Sequence, residues 1–173
     1  MPVRNSAAGE APFVLPGKIV EVPGRGEMFV RHHQHSNTSA PTLLLLHGWT
    51  ASCDSQFFSA YEELSQHFSI IGVDHRGHGR GLRPSVRVTL EDCADDAAAV
   101  AKELGATSVI TIGYSMGGPI SLLTAQRLPE LVEGMVLQAT ALEWSGTRKE
   151  KNRMRFIGPM AHFISRPRVL RFF

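Results

Sequence analysis

The stretch TIGYSMGG, residues 111–118, sets one serine between two glycines, Gly113-Tyr114-Ser115-Met116-Gly117, at the end of an apolar run. That run, SVITIG (108–113), is continuous rather than alternating, as in a strand buried on both faces. A helical segment starting at or just after Ser115 is predicted to reach about Leu128, where Pro129 ends it. The stretch therefore reads as strand, tight turn and helix, with Ser115 on the turn. Glycines two places before and two places after the serine let strand and helix pass where a side chain would block them. The amide of Met116 then lies at a helix N-terminus, where partial positive charge favours an oxyanion.

Outward from this turn the same alternation continues. TLLLLH (42–47), SIIGVD (69–74) and GMVLQAT (134–140) are further continuous apolar runs, predicted as strands buried on both faces. Between them, Phe57, Tyr61, Leu64 and Phe68 recur at helical spacing, as do Leu90, Cys93, Ala94, Ala97, Ala101 and Leu104. Thr89, with an acid three residues on, reads as the second helix's N-cap and Gly105 as its stop. KIVEV (18–22) and EMFVRHH (27–33), joined by Pro23-Gly24, predict an antiparallel hairpin at the sheet edge. Alternating strand and helix give an α/β fold, a mostly parallel sheet flanked by helices, and ligands of such sheets bind at the carboxyl ends of the strands.

The chain has 173 residues, 43% of them hydrophobic and 20% charged, enough for one globular domain with a real core. Cys53 and Cys93 show no CxxC spacing, and the first 17 residues hold no apolar leader, so free thiols and a cytoplasmic location are expected. The net charge of +2 divides unevenly, −4 over residues 1–140 and +6 from Ala141 onward. That asymmetry reads first as a solvated helical face and second as contact with an anionic partner. No nucleic-acid motif accompanies the basic residues, so nucleic acid is not an expected partner.

A second set of residues extends the first. His47-Gly48-Trp49 follows a buried strand, so its loop could aim the Trp49 amide at the point the Met116 amide faces. With HGW (47–49), DHRGHG (74–79) and GYSMGG (113–118) in this order, the chain resembles the α/β-hydrolase superfamily, its serine-nucleophile, lid-containing type. The resemblance implies that Ser115 is the nucleophile and that the backbone amides of Trp49 and Met116 form an oxyanion hole. Gly113, Gly117, His47 and Gly48 then support the elbow and its neighbouring loop. It implies a small-molecule ester or acyl substrate, hydrolysed through an acyl-serine intermediate, and no cofactor or metal. Gly81 stands where the family often has serine, and Asp74 and Arg76 read as residues that tie their loop down.

A serine nucleophile also needs a base and an acid, in the chain order serine, acid, histidine. Downstream of Ser115 the sequence offers no aspartate, four glutamates and one histidine, His162, with Glu143 the acid best placed after the last strand. His162 lies in a helix-like segment and reads as a helix-face residue. The clustered His32, His33 and His35 lack a further ligand that would make them a metal site. The expected organisation is an extension over 1–17, a core of six strands over 18–140 and the opening of a helical lid over 141–173. The resemblance thus covers the N-terminal part of a family member, lacking its last two strands, and a nearly inactive fragment is expected. An exposed sheet edge predicts self-association. The alternative is a non-catalytic relative that binds an acyl ligand, a protein partner or an anionic membrane surface through its basic, apolar tail.

Overall fold

The computed structural model describes residues 12–141. The expected lid, with Glu143 and His162, lies outside them. Six strands and three helices follow in the order β1 (Gly17–Val22), β2 (Gly26–His33), β3 (Thr42–Leu46), α1 (Cys53–Ser65), β4 (Ser69–Val73), α2 (Leu90–Glu103), β5 (Val109–Tyr114), α3 (Gly117–Arg127) and β6 (Val132–Gln138). They build one sheet in the order β1-β2-β4-β3-β5-β6. β2 pairs antiparallel with β1 and with β4, and the remaining pairs are parallel. The predicted hairpin thus forms one margin of the sheet.

The apolar runs are continuous because both faces of the central strands are covered. In β3, Leu43 and Leu45 pack with Ile70, Phe57 and Tyr61 beneath α1, while Leu44 and Leu46 join Ile71, Val73 and the alanines of α2 on the other face. Leu15, ahead of the first strand, is also part of the core. Each long helix starts where a side chain can satisfy its free amides. Ser52 and Ser55 cap α1 reciprocally, and Thr89 and Asp92 do the same for α2. No helix among the described residues is long and apolar enough to cross a membrane.

One strand departs from its expected form. The last runs from Val132 to Gln138, two residues earlier than its apolar run, because a register shift lets Val132 pair with Val109. It is also not buried on both faces: Met135, Val136 and Leu137 are each about 40% exposed. Among the described residues, β6 is the last strand in the order and pairs with β5 alone.

Candidate active site

Strand register decides which loops meet. Leu46 at the end of β3 pairs with Val73 of β4 and with Gly113 of β5, and Tyr114 pairs with Gln138 of β6. The chain therefore leaves four adjacent strands at one level, through His47-Gly48, Asp74-His75, Ser115 and Ala139-Thr140. All three non-glycine residues with positive φ among those described lie on these loops: Thr50 (61°), Ser115 (50°) and Ala139 (47°). Such backbone is costly for a residue with a Cβ, and it persists only where packing over-determines it.

At Ser115 the packing is visible. Its amide donates to the Gln138 carbonyl at 2.9 Å, and its own carbonyl accepts from Thr140 Oγ1 at 2.9 Å and from the Gly118 amide at 3.0 Å. Side chains at the flanking glycines have no room. A Cβ at Gly113 would strike the Gly117 carbonyl, and one at Gly117 would strike the Leu46 carbonyl. The half-buried Ser115 side chain is thus lifted onto a ledge where α3 starts. A Cβ at Gly48 would lie 3.3 Å from that of Ser115, so the two turns touch.

His47 joins two of the loops. The His75 amide donates to its Nε2 at 3.0 Å, which leaves the ring proton on Nδ1, and Nδ1 donates to the Gly48 carbonyl at 2.7 Å. Because a trans peptide points its carbonyl and amide in opposite directions, fixing the Gly48 carbonyl also fixes the Trp49 amide. Thr140 acts alike on the Ser115 carbonyl and so on the Met116 amide. Among the described residues, the amides of Trp49 and Met116 donate to no other group.

The next loop is anchored from two sides. Asp74, fully buried, accepts from the amides of Cys53 and Arg80 at 2.7 and 2.8 Å. Arg76 makes a two-pronged bond to Asp96 of α2, both arms at 2.5 Å. These contacts give both residues the loop-holding role read from the sequence. Gly81 is required there, since a Cβ would strike the carbonyls of Asp74 and His75, so serine could not enter without moving the loop.

Three histidines pack behind the loops, with the ring of His47 centred 4.4 Å from His75 and 5.6 Å from His78. Burial holds His47 below the ordinary imidazole range, and burial beside His47 and His78 holds His75 well below it. Both therefore stay neutral in the folded protein while the unfolded chain can take up their protons near pH 6.5. Folded pKa values below the unfolded ones mean stability that is complete above about pH 6.5 and lost as pH falls. The expected loss is up to ~1.4 kcal/mol per pH unit for each histidine. Urea titrations at pH 7.5 and 5.0 read it, and a His75→Leu variant should show a smaller loss.

Beside Trp49 and Met116 opens a cavity of about 480 Å³, whose walls include His78, Arg87, Val88 and Leu90. A second cavity, about 360 Å³, lies at the opposite end, among Thr42, Ser69 and Ser108 before the parallel strands. Sheets of this kind take ligands at the carboxyl edge, so the first cavity is the relevant one. Among the described residues no group of three or more His, Cys, Asp or Glu is placed to hold a metal ion.

The predicted residues Ser115, Trp49, Met116, Gly113, Gly117, His47 and Gly48 are thus brought together. No histidine is hydrogen-bonded to Ser115 among the described residues. Of the downstream acids, Glu133 accepts from Ser108 ahead of β5, and Glu130, beyond α3, pairs with Lys102 in the last turn of α2. Neither is near the serine's end of the sheet. The role of Thr140 and the cavity carry no sequence signal of their own; the only trace of Thr140 is its place at the end of an apolar run.

The sequence profile for the alpha/beta hydrolase fold matches residues 41–159. The chain belongs to the alpha/beta-hydrolase family. Among relatives of this chain, a 2-(acetamidomethylene)succinate hydrolase of Mesorhizobium japonicum is 35% identical over 98 residues, 57% of this chain and 35% of that protein. A pimeloyl-acyl-carrier-protein methyl ester esterase of Nitrosospira multiformis is 34% identical over 102 residues, 58% of this chain and 38% of that protein. The chain also shares its fold with a thermophilic esterase from Thermogutta terrifontis, at a TM-score of 0.69 and 24% identity over 88% of this chain and 54% of the other. The chain thus spans well under half the length of the two sequence relatives.

Proposed function

We propose that the protein is a serine hydrolase that cleaves a carboxylic ester or related acyl compound, with Ser115 as nucleophile. One observation carries the reading: a serine at φ 50° stands on a strand-to-helix turn directly against the His47-Gly48 turn. In the proposed reaction Ser115 Oγ attacks the substrate carbonyl carbon while a base removes its proton. The carbonyl oxygen gains the negative charge and accepts from the amides of Trp49 and Met116. Collapse of this intermediate expels the alcohol, which takes the proton from the base, and leaves the acyl group on Ser115. Water then repeats the sequence and frees the acid. No base or orienting acid stands at Ser115 among the described residues; chain order offers Glu143 and His162, of which His162 reads from the sequence as a helix-face residue. Family membership and relatives named for an ester and a succinate derivative support this chemistry.

A fluorophosphonate tests it, because such reagents phosphonylate activated serines. Intact mass should rise by one adduct, mapped by fragmentation to Ser115 within the tryptic peptide of residues 103–127. An adduct on another residue, or none on folded protein that includes the base and its acid, overturns the assignment and favours a relative that only binds its ligand.

A further inference from the structure

Seven arginines fall within the described residues, and six are engaged. Arg25, Arg31, Arg76, Arg80 and Arg127 pair with aspartates, and Arg83 donates to backbone carbonyls. Arg87 alone among them has no ion pair or hydrogen bond to a described residue, and it stands in the wall of the cavity that Trp49 and Met116 border. Glu91, in the first turn of α2, lines the same cavity without pairing with it.

The rest of the wall narrows what that cation would meet. Val88, Leu90, Cys93 and Met116 supply apolar surface beside the two amides, which suits a short methylene chain. An exposed guanidinium at such a wall, unpaired among the described residues, matches a carboxylate, which it can hold through two parallel N–H donors. We propose that Arg87 is a specificity residue that holds the free carboxylate of a dicarboxylic half-ester, while the ester carbonyl lies at Trp49 and Met116. The inference rests on the serine-hydrolase reading and adds the substrate class to it.

The test compares 4-nitrophenyl hydrogen glutarate, which carries the carboxylate, with neutral 4-nitrophenyl butyrate. Arg87→Gln is expected to raise KM for the glutarate about tenfold and to leave the butyrate within about twofold. Arg87→Lys should retain most of the preference, and 0.5 M salt should narrow it in the unsubstituted protein. Equal change for both esters, or no preference to begin with, overturns the proposal. Binding is read separately from chemistry by Trp49 fluorescence in a Ser115→Ala, Trp144→Phe background, titrated with monomethyl glutarate and with methyl butyrate. About tenfold tighter binding of the half-ester, lost in Arg87→Gln, supports the proposal even where turnover is absent. Equal affinity overturns it, whereas full esterase activity in Ser115→Ala overturns only the nucleophile.

Discussion

Ser115→Ala is expected to remove ester turnover by about 10⁴-fold or more where the complete catalytic set operates. The hydroxyl is the only group lost, since every hydrogen bond described at this residue runs through its backbone, from its amide to Gln138 and to its carbonyl from Thr140 and Gly118. The turn should therefore survive the change, and the variant should melt with the unsubstituted protein. Ser115→Gly is the informative companion. Glycine accepts φ 50° without a Cβ penalty, so this variant should gain about 1 kcal/mol of stability while losing the same activity. Opposite movement of stability and turnover would separate a strained functional serine from a merely structural one. Hydrolysis of 4-nitrophenyl butyrate and urea denaturation supply the two readouts, and unchanged hydrolysis in both variants would end the nucleophile assignment. His162→Ala, assayed alongside, shows whether that histidine is the base: a loss matching Ser115→Ala assigns it, and unchanged turnover excludes it.

Gly117→Ala is expected to cost about 3 kcal/mol or more of folding stability and to take the activity with it. The new Cβ would collide with the backbone carbonyl of Leu46, with that of His47 close behind, and neither can swing aside as a side chain could. Relief requires α3 to move away from the end of β3, which separates the two loops whose contact defines the site. Gly105→Ala provides the contrast. There φ is 80° and nothing lies within 4 Å, so only the backbone preference is lost, at about 1 kcal/mol. Urea titration of both variants checks the ordering, and a Gly117→Ala protein within 1 kcal/mol of the original would show that the elbow is looser than its packing implies.

Much of this architecture is legible along the chain because its causes are local. The TLLLL run reads as a doubly covered strand, since Leu43 and Leu45 must face one way and Leu44 and Leu46 the other at a period of two. The start of α2 is written in Thr89 and Asp92, whose reciprocal bonds span three residues. The order of HGW, DHRGHG and GYSMGG likewise brings Ser115, Trp49 and Met116 forward before any coordinate is known. The last strand shows the limit of such reading. GMVLQAT looks like a core strand by composition, but burial depends on what lies around a strand, and among the described residues β6 is flanked on one side only.

The proton position on His47 has no sequence signature, because it depends on an amide 28 residues away. Thr140 reaches back across 25 residues to the Ser115 carbonyl, a partnership created by the parallel pairing of β5 with β6. Arg87 is one basic residue among many until the described neighbours leave it unpaired beside a cavity. Short-range periodicity and capping are therefore enough to give strands, helices and the serine's turn, since their energies arise within a few residues. Which amides point where, which cation stays free and which strand stays exposed arise from contacts between segments far apart in the chain, and those exist only once the sheet has assembled.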